Sequence, residues 1–244
     1  MKIGYSMPAA SRFYPSPPYI YKDNHSINIV FRTTPEALQA RVPSPLIPNP
    51  GNFAFVYVGE FNVFDPIRAS YLEAGIGVPV LFDNKPGNYF LYLYLDMAVA
   101  IVAGREIWGW PKKDAGIKIN VENGKYQASV VRDEVEIIRA SVYAAEPVSP
   151  ITPSVYVPPI NLKIIPSVCR NHPPDVLQLT SAAGTSVKKA LFRGEASLSL
   201  ASSPNDPLSE LPVLEIISGE RSIDDMSLDC GEVLVDYLAQ GQQV

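Results

Sequence analysis

Histidine and cysteine are almost absent from this chain of 244 residues, which has two of each. His25, His172, Cys169 and Cys230 are well separated and do not make a four-ligand zinc site without help from carboxylates. Two cysteines are also too few for a disulfide framework, so free, buried thiols are expected. Charge is sparse: 18% of residues are charged, and the net charge is −5. No basic run exceeds two residues, so a nucleic-acid surface is not expected. The apolar stretch from Met97 to Gly104 is ended by Arg105, far short of the roughly 20 residues a membrane span needs. The N-terminus carries no apolar signal core, which makes the cytoplasm the expected compartment. Several familiar motifs are missing too. Gly75-Ile76-Gly77 lacks the third glycine of a dinucleotide fingerprint, and neither a Gly-Lys-Ser/Thr phosphate loop nor a Gly-x-Ser-x-Gly elbow occurs. Neither cofactor nor metal is expected, and what remains is cofactor-independent chemistry on an amine.

What the chain does have is proline, 24 residues of it, and a 47% hydrophobic content. That is enough to bury a sizeable core as one domain over residues 1–244, and the low charge suits subunit interfaces. Residues 1–24 read as an extended Pro- and Tyr-rich arm. Ile27 to Arg32, Phe53 to Phe64, Val135 to Ala144 and Glu195 to Leu200 read as strands. Asp65 to Gly77 reads as mobile, Val78 to Phe82 as an apolar run, and Leu177 to Gly194 as ambiguous. Thr34-Pro35-Glu36 carries a helix start: a capping hydroxyl, proline at the first helical position and an acid in the first turn. Asn123-Gly124 between two alternating runs predicts a hairpin from Gly116 to Arg132. Pro147 to Pro159 is a connector, and Glu232 to Leu238 a strand or short helix. The expected fold is mainly β (α+β), an antiparallel sheet closed into a barrel around one lysine, with minor helices.

That lysine is Lys112, in Gly104-Arg105-Glu106-Ile107-Trp108-Gly109-Trp110-Pro111-Lys112-Lys113. The segment follows the apolar run Asn88 to Ala103 and contains both tryptophans of the chain. At neutral pH an ordinary lysine is only about 1 part in 2,500 free amine. Surroundings that exclude water and counter-ions disfavour the ammonium, and a second cation at Lys113 adds to the effect. A neutral amine attacks ketones and forms a Schiff base. Lys188-Lys189, a second pair without proline or aromatic neighbours, reads as surface.

The segment from Gly104 to Lys113 resembles the signature of the acetoacetate decarboxylase family. Further matches follow in order: Phe31-Arg32-Thr33, Tyr71-Leu72-Glu73 with Val78-Pro79-Val80, Tyr92 to Asp96, Leu162 to Pro166, and Leu211-Pro212-Val213. The resemblance runs from about Pro18 to Leu238. It implies a cone-like barrel, a Schiff base on Lys112, and decarboxylation of a β-keto acid without a cofactor. Lys113 is implied as the neighbour that favours the neutral amine, and Glu73 as an active-site carboxylate that orients substrate or manages protons. The family is itself a standard instance of a lysine activated by a hydrophobic pocket or a nearby cation, so the mechanism comes with the resemblance as well as from the residues. Relatives form large symmetric assemblies, which implies a homo-oligomer.

The chain also departs from the family pattern. A second acid is commonly found where Val58 stands, and Glu60 lies two residues away on the same strand face. Asn24 or His25 replaces an arginine. Trp110 and Trp108 occupy positions where smaller residues are common, and they either line the substrate pocket or pack in the core. These changes leave imine formation in place and open a second reading, a Schiff-base aldolase or dehydratase acting on pyruvate-like keto acids. A third reading is a barrel that binds a small molecule and does no chemistry, with Lys112 an ordinary lysine.

Overall fold

A computed structural model describes residues 5–149 and 156–241. The first residues of the N-terminal arm and part of the Pro147–Pro159 connector lie outside these described residues. The chain runs through β1 (Tyr19–Arg32), α1 (Pro35–Gln39), β2 (Ile47–Pro48), β3 (Phe53–Asp65), β4 (Ala69–Phe82), β5 (Lys85–Leu95) and α2 (Ala98–Trp108). It continues with β6 (Lys112–Asp114), β7 (Gly116–Glu122), β8 (Lys125–Arg132), β9 (Val135–Pro147), β10 (Pro159–Ile165) and β11 (Val176–Leu200). The short bridges β12 (Ser202–Ser203) and β13 (Asp206–Pro207) precede β14 (Glu215–Asp236).

Local chemistry set several of these elements as expected. Thr34 accepts a hydrogen bond from the Ala37 amide at 3.2 Å, capping α1 with Pro35 at its first turn. Asn123 and Gly124 take φ of 48° and 79°, the left-handed pair that a two-residue hairpin between β7 and β8 requires.

The strands pair in the order β10-β5-β4-β3-β1-β14-β11, and β10 also pairs β11, so the hydrogen bonding returns to its start. The β10–β5 joint is parallel and holds only two residue pairs. Strands β9, β8 and β7 extend from the far part of β11. Alternation along each strand divides the side chains between two faces of the ring. Phe90, Glu73, Tyr57, Tyr21, Met226, Ser186 and Pro159, one from each of the seven strands, line one cavity of about 290 Å³. The interleaved residues Val56, Val58, Ala74, Ile76 and Tyr94 join Val130, Ile138 and Ala140 in the larger hydrophobic core.

Five sequence readings are corrected or resolved by the structure. The mobile-looking stretch up to Gly77 is strand β4 from Ala69 onward. A Cβ on Gly75 would fall 2.3 Å from the Tyr57 ring, so glycine makes room for an aromatic neighbour. The apolar run from Asn88 divides into β5 and the helix α2, which lacks an amphipathic period because apolar residues fill most of its circumference. Leu177 to Gly194 is part of one 25-residue strand, and β14 begins 17 residues before the expected Glu232. Cys169 and Cys230 are free, as expected, but exposed: the first sits in a polar turn and the second in a solvent-facing stretch of β14.

Candidate active site

Helix α2 and strand β6 together place Lys112. The helix ends at Gly109, whose φ of 71° is the left-handed conformation. The Gly109 and Trp110 amides turn back to the carbonyls of Arg105 and Gly104 at 3.2 and 3.0 Å, a Schellman-type stop. Three residues later the chain lies parallel to β5, with Lys112 beside Leu93. Arg105 Nη1 donates to the Lys112 carbonyl at 3.1 Å and pins the strand to the helix. The lysine side chain then runs across Gly104, where an added Cβ would lie 2.6 Å from Cδ and 2.9 Å from Cε.

Strand pairing brings Glu73 to the same place. Glu73 pairs Leu95 on β5 and Gly59 on β3, and its Oε2 is 2.9 Å from Lys112 Nζ. The lysine side chain is 2% exposed and the glutamate 7%. The approach lies off the hydrogen-bonding directions, so the two attract as charges while Oε2 receives no aligned hydrogen bond. Tyr57 donates to Oε1 at 2.5 Å. Tyr71 lies alongside, with its hydroxyl 3.4 Å from that of Tyr21. Burial first, and then the negative charge of Glu73, push the Tyr57 hydroxyl well above its ordinary range. Burial, followed by Tyr21 and Glu73, does the same to Tyr71. These phenols therefore stay protonated. The Trp110 ring centroid is 4.7 Å from Nζ and that of Tyr71 is 5.8 Å.

The expectation of an amine without a counter-ion is corrected by this geometry. Water is excluded, but a carboxylate is in contact. The proton of such a buried pair can reside on nitrogen or oxygen, and the pair is neutral overall in both arrangements. Moving it to Oε2 leaves a free amine without sending a proton to bulk solvent.

Glu73 and Trp110 line the 290 Å³ cavity. Lys112 borders a small void of about 20 Å³, which shares Tyr21, Tyr71, Trp110 and Leu228 with that cavity. The amine thus lies behind Trp110 and Tyr71, with Glu73 in the wall between it and the open space. Trp108 is one layer further back, stacked on Trp110 at 5.2 Å with Nε1 donating to the Asp229 carbonyl.

The remaining candidate residues lie elsewhere. Lys113 alternates to the other face of β6, where Nζ meets Asp206 at 2.7 Å. Asp206 is fully buried and also receives Tyr94, Arg132 and Ser203. Burial alone would raise its carboxyl, but the hydrogen bonds from Lys113, Tyr94 and Ser203 hold it below the usual range. The second cation is therefore matched by its own acid and faces away from Lys112. Glu60 is exposed, accepts from Ser70 at 2.9 Å and borders an outer groove with His25. It shares its outward face with Val58, so neither position supplies a carboxylate to the amine. Asn24 is buried, its Oδ1 accepting from the Asn62 amide at 2.9 Å. Lys188, read as surface, lines the cavity, whereas Lys189 is exposed and paired with Asp23 and Asp225. Sequence reasoning missed Tyr21, Tyr57 and Tyr71; the signal for Tyr57 was its alternation with Val56 and Val58.

Residues 6–238 match the model of the acetoacetate decarboxylase family. The acetoacetate decarboxylase of Ralstonia nicotianae is 32% identical over 245 residues, covering 98% of this chain and 97% of that protein. The crystal structure of acetoacetate decarboxylase from Legionella pneumophila superposes with a TM-score of 0.86 at 30% identity, covering 96% of this chain and 94% of the other. The enduracididine biosynthesis enzyme MppR, complexed with the condensation product of pyruvate and imidazole 4-carboxaldehyde, has the same fold. Its TM-score is 0.85 at 20% identity, covering 97% of this chain and 98% of the other.

Proposed function

From the membership of this chain in the acetoacetate decarboxylase family, we propose that it decarboxylates a β-keto acid through a Schiff base on Lys112. One observation carries the reading: the buried Nζ stands 2.9 Å from Oε2 of Glu73, a residue that lines the 290 Å³ cavity. Glu73 takes the ammonium proton, and the free amine adds to the ketone carbon. Water leaves as the iminium forms, with Glu73 returning the proton that the departing oxygen needs. The bond to the carboxylate then breaks, CO2 departs, and its electron pair moves through the former keto carbon to nitrogen. The resulting enamine is protonated on carbon and hydrolysed, which frees the ketone and Lys112. Tyr57 fixes the rotation of Glu73, and Trp110 and Tyr71 keep water from the amine. Lys113 holds β6 in place through Asp206. A cytoplasmic homo-oligomer belongs to the same reading; among the described residues no helix is long and apolar enough to cross a membrane.

Incubation with acetoacetate and borohydride, followed by peptide mass mapping, tests the proposal. A permanent adduct on Lys112 and release of CO2 are expected, and both are lost in Lys112→Ala. Full turnover by that variant overturns the mechanism, and an unmodified lysine points to binding without chemistry. One further reading is condensation of a pyruvate-like keto acid on the same lysine, supported by the pyruvate condensation product bound in MppR, a protein of the same fold. Product analysis with an added aldehyde separates the two.

A further inference from the structure

The cavity is larger than a four-carbon keto acid needs. Its 290 Å³ holds about ten water molecules at about 30 Å³ each, against about seven non-hydrogen atoms in acetoacetate. The extra room has a direction. Exposure rises from 2% at the Lys112 side chain to 30% at Lys188, so solvent enters past β11 and β14. Leu228, Met226, Asp224, Ser222 and Glu220 mark this course along β14. At about 3.3 Å per residue, Asp224 lies about 13 Å along the strand from Leu228, which borders the small void at Lys112.

Three carboxylates line this space, and they are not equally compensated. Glu73 has Lys112 at 2.9 Å, and Glu220 has Arg193 at 2.9 Å. Asp224 has no cation within 4.0 Å among the described residues, although Lys188 is its neighbour across the ladder. Its only side-chain donors among the described residues are Asn24 at 3.3 Å and Ser222 at 3.4 Å, both long. Burial, eased in part by those donors and by Lys188, raises its carboxyl above the ordinary range. A half-buried acid with spare lone pairs facing an open cavity destabilises the fold unless something fills it.

We infer that Asp224 is a specificity-determining residue, reading a hydrogen-bond donor, ammonium or hydroxyl, at the far end of a keto acid longer than acetoacetate. This rests on the Schiff-base reading and adds the substrate class. The reacting ketone sits against Lys112 and Glu73 while the chain follows β14 outward to Asp224. Ser26 and Ser222, whose hydroxyls bond each other at 3.2 Å, give the intervening wall a polar character. Lys188, solvated at the mouth, is the group that a terminal carboxylate would meet instead.

The test compares 3-keto acids of equal chain length ending in methyl, hydroxyl, ammonium or carboxylate, each assayed for CO2 release and for borohydride trapping on Lys112. The ammonium and hydroxyl compounds are expected to exceed the methyl compound by about ten- to a hundredfold in kcat/KM. Asp224→Asn should reduce the ammonium advantage, and Asp224→Leu should abolish both preferences. Equal kcat/KM for the methyl and hydroxyl compounds overturns the inference. A preference for the carboxylate that Lys188→Met removes also overturns it, with Lys188 as the reader. If no compound is trapped on Lys112, the Schiff-base reading fails; if all are trapped without preference, only the role of Asp224 fails.

Discussion

Replacing Gly104 by alanine tests whether helix α2 sets the position of the amine. An ideal Cβ there stands 2.6, 2.9 and 3.4 Å from Cδ, Cε and Nζ of Lys112. Ordinary carbon contacts need about 3.5–4.0 Å, so the side chain must move by about 1 Å. A solvated lysine would give way at little cost. This one is enclosed by Trp110 and Tyr71 and held against Glu73, and the void beside it holds only about 20 Å³. Overpacking of this kind costs about 1–3 kcal/mol, and the better helix propensity of alanine returns up to about 1 kcal/mol. The net loss of stability should be at most about 3 kcal/mol. Catalysis is more exposed, because a displacement of about 1 Å at a reacting group lowers the rate by about 10²-fold. Borohydride trapping of Lys112 and CO2 release should both fall by about that factor while the protein melts as a folded domain. Wild-type trapping and turnover in Gly104→Ala would refute the idea that the glycine exists to seat the lysine.

Two further predictions concern the opposite face of β6. Lys113→Met leaves Asp206 with Arg132 as its remaining cation, and stability should drop by about 1–3 kcal/mol, roughly 2–12 °C in melting temperature. Trapping of Lys112 should persist in that variant, and its loss would show that Lys113 acts on the amine through its charge. The second prediction follows from Asp206, whose carboxyl is held below the ordinary range when folded. A group of this kind contributes stability above its unfolded pKa of about 3.9, and the contribution is lost as pH falls through the lower folded value. Asp206→Asn should therefore reduce stability at neutral pH and flatten the decline below about pH 4; an unchanged acid limb in thermal melts would contradict the assignment.

The reach of the sequence into this structure follows the range of each interaction. The α1 cap and the β7–β8 hairpin are decided within a few residues, so Thr34 and Asn123-Gly124 declared them directly. Lys112 was legible because its apolar approach and the Pro-Lys-Lys junction are contiguous, and Glu73 because the family resemblance located it. Strand β4 was not, because its glycines answer to rings on β3 that only the pairing brings across. Lys113 and Glu60 were misplaced by a single residue of parity: neighbours in sequence point to opposite faces of a strand, and a linear motif does not say which face holds the site. Lys188 read as plain surface because its place at the cavity mouth depends on the pairing of β11 with β14. Asp224 went unremarked for the same reason.

The Lys112–Glu73 contact bears directly on how the proposed reaction is balanced. A buried ion pair adds little to stability, since desolvation offsets most of the attraction, so a purely structural purpose for it is a weak explanation. In the proposed cycle the proton leaves Lys112 for Glu73, returns with the departing water, and is unavailable when the enamine forms. Loss of CO2 removes one negative charge and converts the iminium to a neutral enamine, so the net charge of the site is unchanged. Protonating the enamine carbon therefore requires one proton from outside in every turnover. Among the described residues the only acidic group touching the amine is Glu73, with Oε1 fixed by Tyr57 and Oε2 without an aligned donor. Its place in the cavity wall lets it take that proton from the solvated side and pass it to carbon. In the proposed cycle the same carboxylate would serve nitrogen at the start and carbon at the end, a reason for a counter-ion to sit beside an amine that must lose its charge.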